Sequence, residues 1–390
     1  MEKHLGIKCS IFLIILLMLA SCSSDNPEPK PASPVPHARI LSDTGGAIEE
    51  IALQNYHGCQ IDVISVHMSL INAMHPDTIF HIALGSKKNI EIYQERIKKW
   101  KIKKPGRIKL YNIKKPITPW ARDRFMVTAE PGTDGKITIV RPWLGTKVPP
   151  EWLSENPFPD LIAKNSKRKI SIRQTELSWQ GGNFVASDSH IFSAYNTVPY
   201  LMTKTILSPA EAEQLLEVEF GRKGVVLGDK DDPVPAAHID MYLTPIDNKT
   251  LILGDPELGE QLFLESFRKN AKDKAAAAKV AMPRPAATLA PYYDKVRRML
   301  EERGFTVKRI PLVACRKADM IMTYNNVLME RRDGVKYVYM PTYGIIELDG
   351  AALNTYESLG FTVVPIDVSR IYQNQGAIRC LTNVISRKEH

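Results

Sequence analysis

A strand, a polar or glycine corner, a hairpin and then a helical or irregular stretch recur along this 390-residue chain. That recurrence restricts its fold more than any composition does. The strands that open the units lie at 107–113 (RIKLYNI), 169–173 (KISIR), 224–228 (GVVLG), 305–311 (FTVKRIP) and 361–367 (FTVVPID). Their β-branched enrichment is the strand signal. Hairpins follow over 125–140, 183–195, 241–253 and 325–341, with turns at Thr133-Asp134-Gly135, Ser187-Asp188, Asp247-Asn248 and Asp333-Gly334. These residue types tolerate the backbone angles of tight hairpins.

The fifth unit has a single strand, 377–385, before the chain stops. A lone strand leaves an open edge. The run 77–84 (DTIFHIAL), followed by a helix-like 88–101, supplies the missing strand and helix. The pattern predicts an α/β chain of five ββαβ units, a ring closed by pairing its N- and C-terminal strands. The longest unit, between 224 and 305, contains an insertion-like alanine run at 275–278 together with Pro283 and Pro285.

Before the first unit the chain reads differently. Lys3 and Lys8 precede the apolar run 11–20, which ends in Leu19-Ala20-Ser21-Cys22. That run is too short to span a bilayer, which takes about 20 residues, and it fits the core of a secretory signal. Leu-Ala-Ser-Cys resembles the lipobox of bacterial lipoproteins, which implies that 1–21 is a signal peptide and Cys22 the lipidated residue. Residues 22–37 are rich in Ser, Pro and charge and are expected to form a flexible tether, leaving 38–390 as the folded domain. The expected location is the cell envelope, lipid-anchored at the outer membrane or cell surface.

The formal charge of +9 is compatible with nucleic acid, anionic membranes or acidic substrates and selects none of them. No aromatic-basic stacking motif supports nucleic acid. No CxxC or HExxH spacing appears, so no metal is expected. His67, His75 and His81 lie in a mixed apolar stretch and read as packed or surface histidines. Cys59 and Cys315 could form a disulfide in an exported protein, without a spacing pattern to support it.

Chemistry-bearing residues gather at the corners. They are Trp120-Ala121-Arg122-Asp123, Trp179-Gln180-Gly181-Gly182-Asn183, His238-Ile239-Asp240, Tyr324-Asn325-Asn326 and Gly376-Ala377-Ile378-Arg379-Cys380. In a ring these corners meet, bringing together a thiol, an imidazole and two carboxylates. Those are the parts of a nucleophile, an acid/base and a cation clamp. Blander readings exist for each residue alone. His238 and Asp240 can be a packed polar pair on a strand face, Cys380 a small core residue in an apolar strand, and Asp123 a local ion pair. Gly181 and Gly182 read as backbone room at a tight corner, not as a phosphate loop. Trp120 and Trp179 either wall a pocket or fill the core. Asn183, Asn325 and Asn326 either hydrogen-bond near the site or form turns.

The motifs W-A-R-D, Q-G-G-N, H-I-D and G-A-I-R-C-L-T-N, in this order, resemble the agmatine deiminase and Porphyromonas-type peptidylarginine deiminase family. That resemblance implies the five-bladed ββαβ propeller (pentein fold) of guanidino-modifying enzymes. It implies Cys380 as nucleophile, His238 as acid/base and Asp123 and Asp240 as carboxylates gripping the guanidinium. Trp120, Arg122, Gln180, Gly182, Asn183, Asn326 and Arg379 would line the substrate, and no cofactor would be required. The expected reaction is hydrolytic deimination of peptidyl-arginine or agmatine, a polyamine precursor, to a ureido product through an S-amidino-cysteine. An amidinotransferase of the same fold, and a catalytically silent guanidinium-binding lipoprotein, are the alternatives. Two departures bear on substrate more than on reaction. The family commonly has Glu where this chain has Gln180, and His where it has Arg379.

Overall fold

Antiparallel strands can be joined by a two-residue turn, whereas parallel strands need a crossover of a dozen or more residues, usually a helix. The computed structural model of this chain uses both connections in turn. It describes residues 38–55, 63–130, 136–144, 149–197, 207–235, 237–269, 282–315 and 320–388. The leader, Cys22, the tether, Cys59, the turn residues Thr133, Asp134 and Gly135, and the alanines at 275–278 lie outside the described residues.

Among the described residues the strands form five sheets. In the first, the hairpin Met126–Ala129 and Ile137–Arg141 is followed through helices Pro150–Glu155 and Pro157–Asn165 by the parallel strand Ile170–Gln174. Arg39–Ile40 joins its other edge. The hairpin Val185–Ala186 and His190–Ala194 crosses through Pro209–Phe220 to Lys223–Leu227. Leu243–Pro245 and Thr250–Asp255 lead through Pro256–Lys269 and Ala290–Glu302 to Thr306–Ala314, which Ile321–Thr323 flanks. Leu328–Arg332 and Val335–Thr342 lead through Ile346–Ser358 to Phe361–Asp367. The two helices before Thr306–Ala314 account for the long third unit.

The expected strands are present within a residue or three, apart from the C-terminal one, which starts five residues later than expected, at Thr382; they are grouped differently. Four of the five strands read as opening a unit join the sheet of the hairpin before them, because the helix that precedes each carries the chain back parallel; the first, Ile108–Asn112, pairs in parallel with Ile79–Leu84. The last sheet joins both ends of the chain. Thr382–Lys388 pairs antiparallel with Ala47–Asn55, and Ile79–Leu84 and Ile108–Asn112 follow in parallel. The partner of the C-terminal strand is therefore Ala47–Asn55 and not the run 77–84, which lies one strand further in. Helices Val63–Ala73 and Lys87–Lys99 belong to this last sheet.

Local chemistry sets the ends of these elements. Ser208 caps Pro209–Phe220 in a reciprocal capping box with Glu211, and Gly221 ends it at φ +66°. At the hairpin turn Asp333-Gly334 both residues have positive φ, 50° and 79°, as a type I′ turn requires. Apolar side chains from strands and crossover helices interleave in the core, with Ile51, Leu53, Phe80, Ile82 and Met340 fully buried.

The corners are single helical turns at Ala121–Arg124, Gly181–Asn183, Ile239–Met241 and Ile378–Leu381. This corrects two strand expectations. His238 and Asp240 flank and occupy a turn instead of sharing a strand face, and 377–381 is not strand. Four residues hold one turn of hydrogen bonds, such as Met241 N–H to His238 C=O at 3.0 Å, and that is too short for any periodic pattern. The first two turns pack on each other, the second on the third, and the last on the first.

Candidate active site

Cys380 sits on the last of these turns, 5% exposed. Its surroundings are built chiefly by Asn326. Asn326 Oδ1 accepts from the Cys380 N–H at 3.1 Å and from the Ala377 N–H at 3.2 Å. Asn326 Nδ2 donates to Cys380 Sγ at 3.1 Å and to the Asp240 carbonyl at 3.4 Å. One amide thus fixes the thiol, the turn under it and the neighbouring corner. Asp240 Oδ2 lies 3.9 Å from Sγ. Burial first, then the charges of Asp240 and Asp123, push the thiol well above its ordinary pKa, so Cys380 rests as a thiol while no cation is beside it.

The carboxylates arrive from two other corners. Asp240 is completely buried; burial pushes its carboxyl upward, against the pull of Arg379, His238 and Arg122. Its Oδ1 has no hydrogen-bond partner among the described residues. Asp123 is buried on the first corner, 3.9 Å from Arg124. Arg124 pairs with Glu155 at 2.7 Å and lies 3.8 Å over the Trp152 ring. Burial raises Glu155 to about 7 despite that partner.

His238 Nε2 donates to Gln180 Oε1 at 2.7 Å. The glycines make this contact possible. A Cβ at Gly182 would overlap His238 Nδ1 and come within 2.8 Å of its Cγ, and one at Gly181 would run into the Arg122 carbonyl. Gly376 packs so closely under Trp120 that a Cβ there would reach 2.8 Å from Cη2 and 3.1 Å from Cys380 Cβ. Trp120 therefore stands beside the thiol.

The other expected residues divide between the core and the corner turns. Trp179 is 2% exposed and makes edge contacts with Phe184 and Phe220, so it fills the core. Asn183 is buried on the Gly181–Asn183 turn. Asn325 ties Thr244 and the Ile252 carbonyl together at 3.1 and 3.0 Å, a bond between strands. Arg122 donates through Nε to the Gly181 carbonyl at 3.4 Å. Burial first, then the charge of Arg379, pull Arg122 down to about 10, still charged at neutral pH.

Arg379 turns away from the thiol and bridges two carboxylates. Its Nη1 donates to Asp240 Oδ2 at 2.8 Å, and Nε and Nη2 grip Asp43 at 3.1 and 3.0 Å. Burial opposes the charge on Asp43, and Arg379 outweighs it, holding the carboxyl below its usual range. Sequence reasoning missed Asp43, since nothing marks it 336 residues from its partner. It also missed Asn383, whose Nδ2 donates to the Ala121 and Phe125 carbonyls at 3.1 and 2.8 Å and pins the first corner.

His67 and His81 are packed within the fold. His81 bonds Glu50 at 2.6 Å and Tyr111 at 2.8 Å, and His67 bonds Tyr93 at 2.6 Å. Cys315 is buried, and burial pushes it up to about 11. Among the described residues no helix is long and apolar enough to cross a membrane, and no three His, Cys, Asp or Glu side chains gather as a metal site.

Solved structures share this fold. A Campylobacter jejuni agmatine deiminase is 13% identical, with 90% of this chain and 96% of that chain covered at a TM-score of 0.63. An Enterococcus faecalis agmatine deiminase is 14% identical, covering 90% and 96% at 0.59. At such identities the likeness speaks to the α/β pentein fold alone. No curated protein sequence matches the chain. Over its C-terminal part, residues 204–385, the chain is similar to the Porphyromonas-type peptidyl-arginine deiminase family.

Proposed function

We propose that this chain hydrolyses the guanidino group of peptidyl-arginine or agmatine to a ureido group and ammonia. The observation that carries the reading is the convergence on one buried thiol, Cys380. Asp240 Oδ2 lies 3.9 Å from Sγ, and the other oxygen of that carboxylate is buried and unpartnered among the described residues. A guanidinium is planar, positive and rich in donors, so opposed carboxylates grip it by charge-assisted hydrogen bonds. Asp240 Oδ1 and Asp123 are the acceptors.

The resting thiol is neutral because two carboxylates and burial disfavour its anion. A bound cation reverses that balance: the thiol gives its proton to His238, and the thiolate forms where its substrate already lies. Cys380 Sγ then attacks the guanidinium carbon. The C–N bond to a terminal nitrogen breaks as His238 protonates the departing ammonia, leaving an S-amidino-cysteine. Water, deprotonated by His238, attacks the same carbon and releases the ureido product and the thiol. One water is consumed and one ammonium leaves, so the reaction closes without a redox partner.

The test is ammonia and ureido product from agmatine, free arginine and an arginine peptide. Product from at least one, absent in Cys380→Ala, is expected; binding without turnover in the intact chain would leave a silent guanidinium binder and overturn the enzyme reading. We also propose export and lipid attachment at Cys22, a reading that stands on Leu19-Ala20-Ser21-Cys22 alone.

A further inference from the structure

The carboxylate on which this reading depends is half occupied by the protein itself. Arg379 Nη1 takes Asp240 Oδ2 at 2.8 Å, while Oδ1 is buried and unpartnered. Arg379 cannot drift from this position. Its Nε and Nη2 hold both oxygens of Asp43 at 3.1 and 3.0 Å, and Nη2 also donates to the Phe184 carbonyl at 2.8 Å. Asp43 is locked in turn by Ala186, giving its N–H to that carbonyl at 2.8 Å and accepting that N–H at 2.9 Å.

We propose, resting on the deiminase reading, that Arg379 steadied by Asp43 is a positioning residue that keeps Asp240 ionised and aims Oδ1 as the single acceptor for the substrate cation. A carboxylate as buried as Asp240 is charged only if paired, since desolvation otherwise drives it to the neutral acid. Facing it are Arg379, Arg122 from the first corner, His238 from its own corner, Tyr242 and Cys380; Asp43 stands behind Arg379. Of these, Arg379 alone makes a charged hydrogen bond to its oxygens among the described residues. A carboxylate with both oxygens free would take a guanidinium through two parallel bonds. Here the substrate receives one bond from Asp240, and Asp123 must supply the rest.

The test reads proton uptake and release on binding, in a Cys380→Ala background so that the thiol contributes none. Agmatine is titrated calorimetrically between pH 7 and 8.5 in buffers of different ionisation enthalpy. With Arg379 present, affinity is expected to be nearly flat with pH. In Arg379→Gln, and in Asp43→Asn/Arg379→Gln, which removes both charges of the outer pair, Asp240 begins protonated. Binding should then weaken at least tenfold at pH 7, release about one further proton per agmatine and strengthen by up to about tenfold per pH unit. Arg379→Lys, which keeps the charge, should restore the flat profile. A residue that only tied the corners together would lower the melting temperature without changing the proton count, and that result overturns the proposal. So does failure of all three variants to fold, which assigns Arg379 to the framework. If the Cys380→Ala parent binds none of agmatine, arginine or an arginine peptide, the deiminase reading falls as well.

Discussion

Replacing Asn326 by Asp separates the chemistry of this site from its architecture. The new side chain has the same shape, and its Oδ1 can still accept the Cys380 and Ala377 N–H groups that Asn326 holds at 3.1 and 3.2 Å. The other atom changes from a donor to an acceptor, 3.1 Å from Sγ. Two unit charges about 3 Å apart repel by about 5 kcal/mol at an effective dielectric constant of about 20, and that penalty falls on the thiolate. Protonation of the new carboxyl relieves part of it, so kcat is expected to fall by about 10²–10³. Asn326→Ala does the opposite. It strands two buried N–H groups, each worth about 1–3 kcal/mol, and should show first as a lower denaturant midpoint. The assay is ureido product formed at pH 8, beside the rate of Cys380 alkylation and the urea midpoint of each variant. Asn326→Asp turning over within threefold of the parent, with its thiol alkylated as fast, would refute the placing of that amide against the nucleophile.

Gly182→Ala should leave the melting temperature close to the parent and cut turnover by about 10²-fold, because the added methyl displaces His238; an unchanged kcat would show that His238 has room to give. Burial holds His67 neutral down to about 3, so the unfolded chain takes up that proton first. Stability should therefore be lost as pH falls from about 6.5 towards 3, by as much as about 4–5 kcal/mol. His67→Gln should flatten that stretch of the urea-midpoint profile, and a profile identical to the parent's would rule His67 out as its source. Cys22→Ala should abolish acylation and leave a longer precursor by intact mass; a parent chain that begins before residue 22 and carries no lipid would remove the anchor.

What could be read from the sequence follows the range of each interaction. Strands such as Phe361–Asp367 and turns such as Asp333-Gly334 announce themselves because β-branched enrichment and positive-φ residues act over a few neighbours. The grouping of strands into sheets did not follow, because a helix like Ile346–Ser358 decides which hairpin the next strand joins, and strand chemistry does not record that choice. The corner turns escaped for a different reason: at three or four residues they have no period to detect. Motif order nevertheless singled out Cys380, His238, Asp240 and Asp123 as the residues of the proposed site, since reactive residue types are rare enough to be informative where they cluster.

The group that stayed invisible is the pair that holds Asp240 in place. Asp43 and Arg379 are 336 residues apart, and an Asp beside Thr44, Gly45 and Gly46 reads as an ordinary turn. Arg379, standing next to the nucleophile, invited a role at the substrate or as the cation that favours a thiolate. The structure gives that charge two carboxylates to satisfy before it can serve the thiol, and the neighbours that most affect Cys380 are anions. The cation that activates the nucleophile must then come from outside, so a neutral isostere of the substrate should leave the thiol as inert as it is at rest. On the proposed reading, a guanidinium supplies the positive charge that this site lacks at rest.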